Sequence, residues 1–429
     1  MTFLFVFLFR YTRFVVHFIT GVFLYRPAVS EKPLFTHRDV AVVIPTVAPH
    51  TEEFLRCCET VLQNHPQALL ISTVGPGLQS EAVEVIRAQG FEARYPNTRF
   101  EVLSGAQANK RRQVMLATDR LDAANTPITI CVDDHVYWSP NFLASLLPAF
   151  DDPKVALVGT NKKVVRSTSG GLWASFTNFI ACLYLCRHNF QIRSEPYLDG
   201  GVFVISGRTA AYRTEIFHAP SFRQAYTNEM FLFGRLGPLN PDDDNAITRW
   251  VLKNGWKIRV QYTDECRIVT PLGEPHKFYG QVLRWTRTTF RSNCTSLRTP
   301  HTWVHFPWSV YAVYFSGMIN FALFWDPLLV WTLMRTTLYT TALSSDSDGL
   351  SKSQLITFMI VWILASKLVK IAPHFVEHPF DIFWLPAYYG WAYWHSFVKL
   401  WCALTFFDHG WTGRNLAQVE EQSGAHDAN

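Results

Sequence analysis

Between about Lys32 and Asn293, short β-forming runs alternate with amphipathic helical stretches, and this alternation leaves few architectures open. The runs are "VAVVIPTV", "ALLISTVG", "RFEVLSG", "PITICVDD" and "KVALVGTN". Stretches with helical periodicity, such as "TEEFLRCCETVLQNH" and "SEAVEVIRAQG", separate them. Strands joined through helices return in the same direction, so an α/β unit with a mostly parallel sheet is expected. Ligands in such sheets bind beyond the carboxyl ends of the strands. No internal repeat competes with this organisation.

The flanks differ in character. Of the 429 residues, 48% are apolar, 15% aromatic and 17% charged, a low charge content for a soluble protein. The start, "FLFVFLFRYTRFVVHFITGVFLY", lacks a secretory cleavage pattern and reads as a membrane anchor over residues 1–31, with Arg10 and Arg13 towards its cytosolic side. Towards the C-terminus, "WSVYAVYFSGMINFALFWDPLLVWTLM" and "LITFMIVWILASKLVKIA" each approach the roughly 20 residues that cross a bilayer. A third segment, "FDIFWLPAYYGWAYWHSFVKLWCALTFF", carries the Trp and Tyr of an interfacial belt. Residues 32–300 are therefore expected as a cytosolic globular domain, 301–414 as transmembrane or interfacial helices, and 415–429 as a disordered polar tail. Lys367 and Lys370 suit a cytosolic helix end, and two or four C-terminal crossings fit better than three.

The net charge of +5 is small for this length and says little about nucleic acid, and no Lys/Arg-rich block or aromatic RNA-binding pattern supports such a partner, so none is expected. Eight cysteines without CxxC spacing read as free, mostly buried thiols. The sequon at Asn293 offers a test of topology.

Three clusters carry chemistry. At the end of a strand, "VDDH" presents Asp133, Asp134 and His135. In a strand, Asp133 and His135 would share one face and Asp134 the other. A carboxylate with an imidazole suits Mn²⁺ better than Mg²⁺, although Mg²⁺ remains open. Next, "DDDN" places Asp242, Asp243, Asp244 and Asn245 before a helix. Capping uses one acid, and another could accept a proton from an attacking hydroxyl. Third, Gln281, Arg284 and Trp285 in "QVLRW" share a helix face, joining a phosphate-gripping guanidinium to an apolar platform for a sugar. Each cluster alone also has a plain structural reading, as a solvated strand end, a cap or a basic amphipathic helix.

The order "VVIPT", "VDDH", "GGVFVISGRTAAYR", "DDDNAIT", "QVLRW" and "HGWTGR" resembles membrane-embedded family 2 inverting glycosyltransferases, the hyaluronan synthases and fungal capsular-polysaccharide-synthase-like enzymes. The resemblance spans about Ala41 to Arg414 and implies a GT-A type, Rossmann-like catalytic domain flanked by transmembrane and interfacial helices. It implies that Pro45 and Thr46 hold the nucleotide base and ribose, and that Lys110 meets the donor. Asp133 and His135 match the metal motif, in its Asp-x-His form. The catalytic base is Asp244 or Asp243. Gln281, Arg284 and Trp285 hold the diphosphate and the acceptor sugar. Gly200, Gly201, Ser206 and Gly207 match the acceptor-side loop, with Arg208 where a proline is common. The implied activity moves a sugar from a UDP-sugar onto a growing cell-surface polysaccharide at the plasma membrane or a secretory membrane, with membrane lipids as surroundings. The rivals are a glycolipid-forming transferase, which would take a lipid-linked acceptor as ceramide glucosyltransferases do, and a degenerate transferase serving as a membrane scaffold.

Overall fold

The computed structural model describes residues 1–342, 350–410 and 416–423. Nine strands form one sheet: β1 (Val40–Pro45), β2 (Ala68–Val74), β3 (Arg99–Gly105), β4 (Ile128–Val132), β5 (Tyr137–Trp138), β6 (Val155–Val164), β7 (Thr209–Arg213), β8 (Lys257–Gln261) and β9 (Arg267–Thr270). Their order is β3-β2-β1-β4-β7-β6-β9-β5, with β8 also paired to β6. The fold is α/β with a mostly parallel sheet, as the alternation predicts.

Both faces of the sheet are covered, which is why its central strands read as continuous apolar runs. Along β1, Val40, Val42 and Ile44 enter a core with Phe54, Cys57 and Ile86 from helices Glu52–Leu62 and Gly75–Ala88. Ala41 and Val43 enter the opposite core, with Val114 from helix Lys110–Thr118 and Ile247 and Val251 from helix Asp243–Lys253. The alternation follows from the two-residue period of a strand.

Two features of this sheet place the site. β1 pairs in parallel with β2 on one side and β4 on the other, which makes the gap between β1 and β4 a topological switch point. β7 then runs antiparallel to β4, with Val132 opposite Thr209. The residues that lead into β7 therefore arrive at the carboxyl end of β4.

The flanking helices depart from expectation. The N-terminal helix Thr2–Ile19 continues through a π turn to Leu24, and this 23-residue element is long and apolar enough to cross a membrane. Its arginines do not mark an end. They lie mid-helix and face the C-terminal helices: Arg10 donates to Asn320, and Arg13 donates to the Ala312 carbonyl at 3.0 Å. The first C-terminal segment breaks into Pro307–Ile319 and Ala322–Met334, bent by 102°. At the break, Lys399 donates to the carbonyls of Gly317 (2.7 Å) and Asn320 (3.0 Å) and so satisfies groups a helix end leaves open.

The second segment is the 17-residue helix Lys352–Leu368, and the third is a 3₁₀ turn, Pro379–Trp384, followed by helix Leu385–Leu404. Three straight C-terminal crossings are therefore not what forms. Among the described residues, the N-terminal helix alone, or that helix and the bent pair, meet the length and composition of a span. Nor does the N-terminal helix stand apart, since Val6 and Tyr11 pack with Leu329, Leu333, Met359 and Ile363.

The cysteines are free, and six of the eight are buried. Asn293 of the sequon is buried in helix Pro275–Leu297, where it donates to the Tyr314 carbonyl at 2.8 Å. A side chain so placed is out of reach of an enzyme that acts on the folded chain.

Candidate active site

A cleft of about 980 Å³ opens at the switch point. It is lined by Pro45 at the end of β1 and Thr46 just beyond it, by Lys110, and by Asp133, Asp134 and His135 beyond β4. Ser206, Gly207 and Arg208 before β7, Asp242, Asp243 and Asp244, and Gln281, Arg284 and Trp285 complete it. The three sequence clusters thus meet in one cavity. Gly200 and Gly201 do not line it. Gly201 packs against Ser309, where an added Cβ would come within 2.3 Å of the hydroxyl, so its small size serves helix packing rather than an acceptor.

β4 ends at Val132, and Asp133 and Asp134 lie in the turn that follows. The two-residue alternation stops there. This corrects the expectation that Asp134 faces away: all three residues of "DDH" reach the cleft. Asp134 accepts a hydrogen bond from Thr46 Oγ1 at 2.8 Å, which ties the ends of β1 and β4 together. His135 Nδ1 sits 2.9 Å from the other Asp134 oxygen, so Asp134 orients the imidazole, which also stands close enough to Asp133 to act on its charge. Asp133 takes its orientation from the antiparallel strand, its N–H donating to the Arg208 carbonyl at 2.9 Å.

The positive partner of these acids is Lys110, the first residue of its helix. Its ammonium lies 2.7 Å from Asp133 Oδ1 and 3.2 Å from Asp243 Oδ2. Burial alone would push the Asp133 carboxyl up, but Lys110, with His135 and Arg208, outweighs it and holds the group below its usual range. Burial would likewise lower Lys110, and the two carboxylates raise it well above the ordinary lysine value.

The triple acid divides its labour. Asp242, in a left-handed conformation (φ 65°), makes no side-chain cap bond. Its carboxylate is held instead by Arg291 Nε at 2.9 Å and by Thr288, both from the "QVLRW" helix Pro275–Leu297. Asp243 pairs with Lys110. Asp244 is the member whose carboxylate accepts backbone N–H groups, from Gly207 at 3.1 Å and Asn245 at 2.9 Å. Burial, reinforced by the neighbouring Asp243 charge, raises the Asp244 carboxyl to about 6. A buried carboxylate with such a value is suited to act as a general base near neutrality.

The opposite wall is cationic and aromatic. Arg208 lies 5.2 Å over the Trp285 ring and close enough to Asp133 and Asp244 to feel both charges. Tyr184 stacks at 5.1 Å from the same indole. Arg208 and Tyr184 carried no catalytic signal in the sequence. Arg208 is visible there only as a departure from a proline pattern, and Tyr184 lies in an apolar helix.

In donor type the wall fits a divalent cation, with hard carboxylate oxygens and one imidazole. No group of three His, Cys, Asp or Glu side chains is arranged as a metal site among the described residues. Asp133 and His135 are the residues that would hold such an ion.

The C-terminal tail contradicts the expectation of disorder over its described part. Residues Leu416–Gln422 form a helical turn that docks beside β2: the Ala108 N–H donates to Glu420 Oε1 at 2.6 Å, and Gly77 N–H to the Ser423 carbonyl at 3.2 Å. Gly75 (φ 67°) permits this, since a Cβ there would lie 2.3 Å from the Ser423 carbonyl oxygen. Leu416 lines the cleft. Trp411–Arg414 of "HGWTGR" lie outside the described residues. The segment before them returns to the site, with Arg291 donating to the carbonyls of Phe406 (2.7 Å) and Asp408 (2.9 Å).

A glycosyltransferase is the class to which this sheet, acid pair and cationic wall point. The chain belongs to glycosyltransferase family 2: the family model "Glycosyltransferase like family 2" matches residues 37–288. It is 32% identical over 97% of its length to a type 2 glycosyltransferase of Zymoseptoria tritici, covering 83% of that protein. It is 34% identical over 94% of its length to a type 2 glycosyltransferase of Gibberella zeae, covering 74% of it. A hyaluronan synthase of Streptococcus pyogenes is 26% identical over 60% of this chain and 59% of its own.

Proposed function

We propose that the protein is a membrane-associated inverting glycosyltransferase that moves a sugar from a UDP-sugar to a growing cell-surface polysaccharide. One observation carries the mechanism: Asp244, with its raised carboxyl, faces the same cleft as a cationic group formed by Lys110, Arg208 and Arg284 beside the Trp285 indole. The chemistry needs both. A diphosphate leaves readily only when its developing charge is met, and an acceptor hydroxyl attacks well only when its proton is taken.

In this reading the nucleotide lies against Pro45 and Thr46, and the diphosphate points to Lys110 and Arg284. Asp133 and His135 would hold a manganese ion, which when bound supplies further positive charge to the leaving UDP. Trp285 and Tyr184 give the acceptor ring an apolar platform. Asp244 takes the hydroxyl proton, and attack from the face opposite UDP inverts the anomeric carbon in one displacement. The long N-terminal helix and the polysaccharide-synthase relative support action at a membrane.

The test is UDP release by the full chain in membranes, given each UDP-sugar singly and in pairs. Release that needs Mn²⁺, stops with EDTA and accompanies a polymeric product is the expected result. A single sugar on lipid would point to glycolipid synthesis, and no release with any donor would leave a scaffold. The docked tail adds a further expectation. Ending the chain before Leu416 removes one wall and two hydrogen bonds beside the nucleotide position, so the donor KM should rise about tenfold with kcat little changed. An unaltered KM would detach the tail from donor binding.

A further inference from the structure

A second cavity, of about 100 Å³, lies where the N-terminal helix meets the C-terminal helices, and its lining is cationic. Arg10 and Arg13 reach it from helix Thr2–Ile19, Arg187 from helix Gly171–Leu198, and Lys367 and Lys370 from the end of the Lys352–Leu368 segment. Arg10, Arg13, Arg187 and Lys367 all stand close enough to repel the Lys370 ammonium.

Among the described residues the compensation is thin. Asp326 pairs with Lys367 and lies 3.7 Å from Arg10, and Glu195 acts on Arg13 from behind. Lys370 has the ring faces of Phe14 and Phe190, at 5.6 and 5.9 Å. Five cations against two carboxylates, walled by Tyr388, Trp391 and other apolar groups, is an arrangement that charge repulsion opposes unless an anion enters.

We propose that this cavity is a binding site for a phosphoryl group. Guanidinium groups grip phosphate oxygens in pairs, and three of them converge here with two ammonium groups. A phosphomonoester brings up to about two negative charges where a carboxylate brings one, which better matches the excess. The position favours a lipid as its source. The outward face of the N-terminal helix exposes Leu4, Phe5, Leu8, Val15 and Ile19, so acyl chains would lie along that face with the headgroup turned inward. Soluble phosphate is the other source of the same chemistry. The cavity borders the catalytic cleft through one helix: Tyr184, Leu185 and His188 line the cleft, and Arg187 lines the cation cavity. The lipid arm rests on the membrane reading given above, but binding is independent of sugar transfer.

The test reconstitutes the full chain in phosphatidylcholine vesicles, alone, with phosphatidic acid, or with inorganic phosphate, and follows the apparent melting temperature. Phosphatidic acid is expected to raise it by several degrees in the wild type and by little in Arg187→Gln or Lys370→Met. Without an anionic lipid, both variants should melt no lower than the wild type, because a repelling charge is gone. If inorganic phosphate alone reproduces the rise, the site stands with a soluble ligand. The proposal fails if neither ligand moves the wild type, if both variants respond as it does, or if a uronate oligosaccharide protects where phosphatidic acid does not. Should both variants fail to fold, native mass spectrometry of the wild type decides: selective retention of phosphatidic acid over equimolar phosphatidylcholine supports the site, and equal retention overturns it. UDP release measured on the same samples separates failure here from failure of the transferase reading.

Discussion

Asp244→Asn should reduce kcat for sugar transfer by about a thousandfold while UDP binding survives, because the substitution keeps the shape of the side chain and removes only its ability to take a proton. That loss equals ~4 kcal/mol of barrier. The wild-type pH profile carries the signature. With the carboxyl raised to about 6, the base is protonated below that pH and ionised above it, so kcat/KM should fall about tenfold per unit on the acid side. The residual activity of the variant should lack this limb.

Stability moves the other way. A carboxyl that holds its proton more tightly folded than unfolded stabilises the fold at low pH, and this contribution is lost as pH rises through about 6. The variant should therefore melt above the wild type at pH 8 and close to it at pH 4. A variant that is less stable at pH 8 and transfers sugar normally would move the base elsewhere.

Lys110→Met should have the second largest effect, on folding and on donor binding together. It leaves Asp133 and Asp243 facing each other without the ammonium that stands 2.7 and 3.2 Å from them. Removing one partner of such a set costs about 3 kcal/mol, since the remaining charges stay poorly solvated. The acids would also repel an incoming diphosphate, so the donor Kd should rise at least about a hundredfold. Asp133 is held below its usual range by Lys110, so its contribution is present at neutral pH and lost as pH falls. The gap in melting temperature between wild type and variant should accordingly be wide at neutral pH and close only below about pH 4, where Asp133 takes up its proton. A constant gap across pH would mean that packing, not charge, is what Lys110 supplies.

Much of the site was legible because each cluster is contiguous. "VDDH", "DDDN" and "QVLRW" each put several reactive side chains within one turn of backbone, and local spacing alone showed what chemistry they suit. Where the reading failed, distance along the chain was the reason. The turn after Val132 cancels strand alternation, and so Asp134, bonded to Thr46 far away in sequence, enters the cleft. Arg208 reaches the cleft because β7 inserts antiparallel beside β4, a pairing that no period reveals. Capping is expected to use one acid of "DDDN", but Asp242, at the cap position, is held by Arg291 on another element. Hydropathy could count apolar residues between Trp308 and Met334 but could not place the bend, which Lys399 stabilises from a helix near the other end of the C-terminal region.

By itself, then, the sequence determined the layered α/β class, the strand that ends in the acids and the helix that carries Gln281, Arg284 and Trp285. These follow from side-chain periodicity and backbone preference, which act over a few residues. The tertiary structure alone decided which acid is paired, which carries the raised carboxyl, and where the arginines of the first helix point. Charge is compensated through space and not along the chain, so those assignments exist only once the chain has closed on itself.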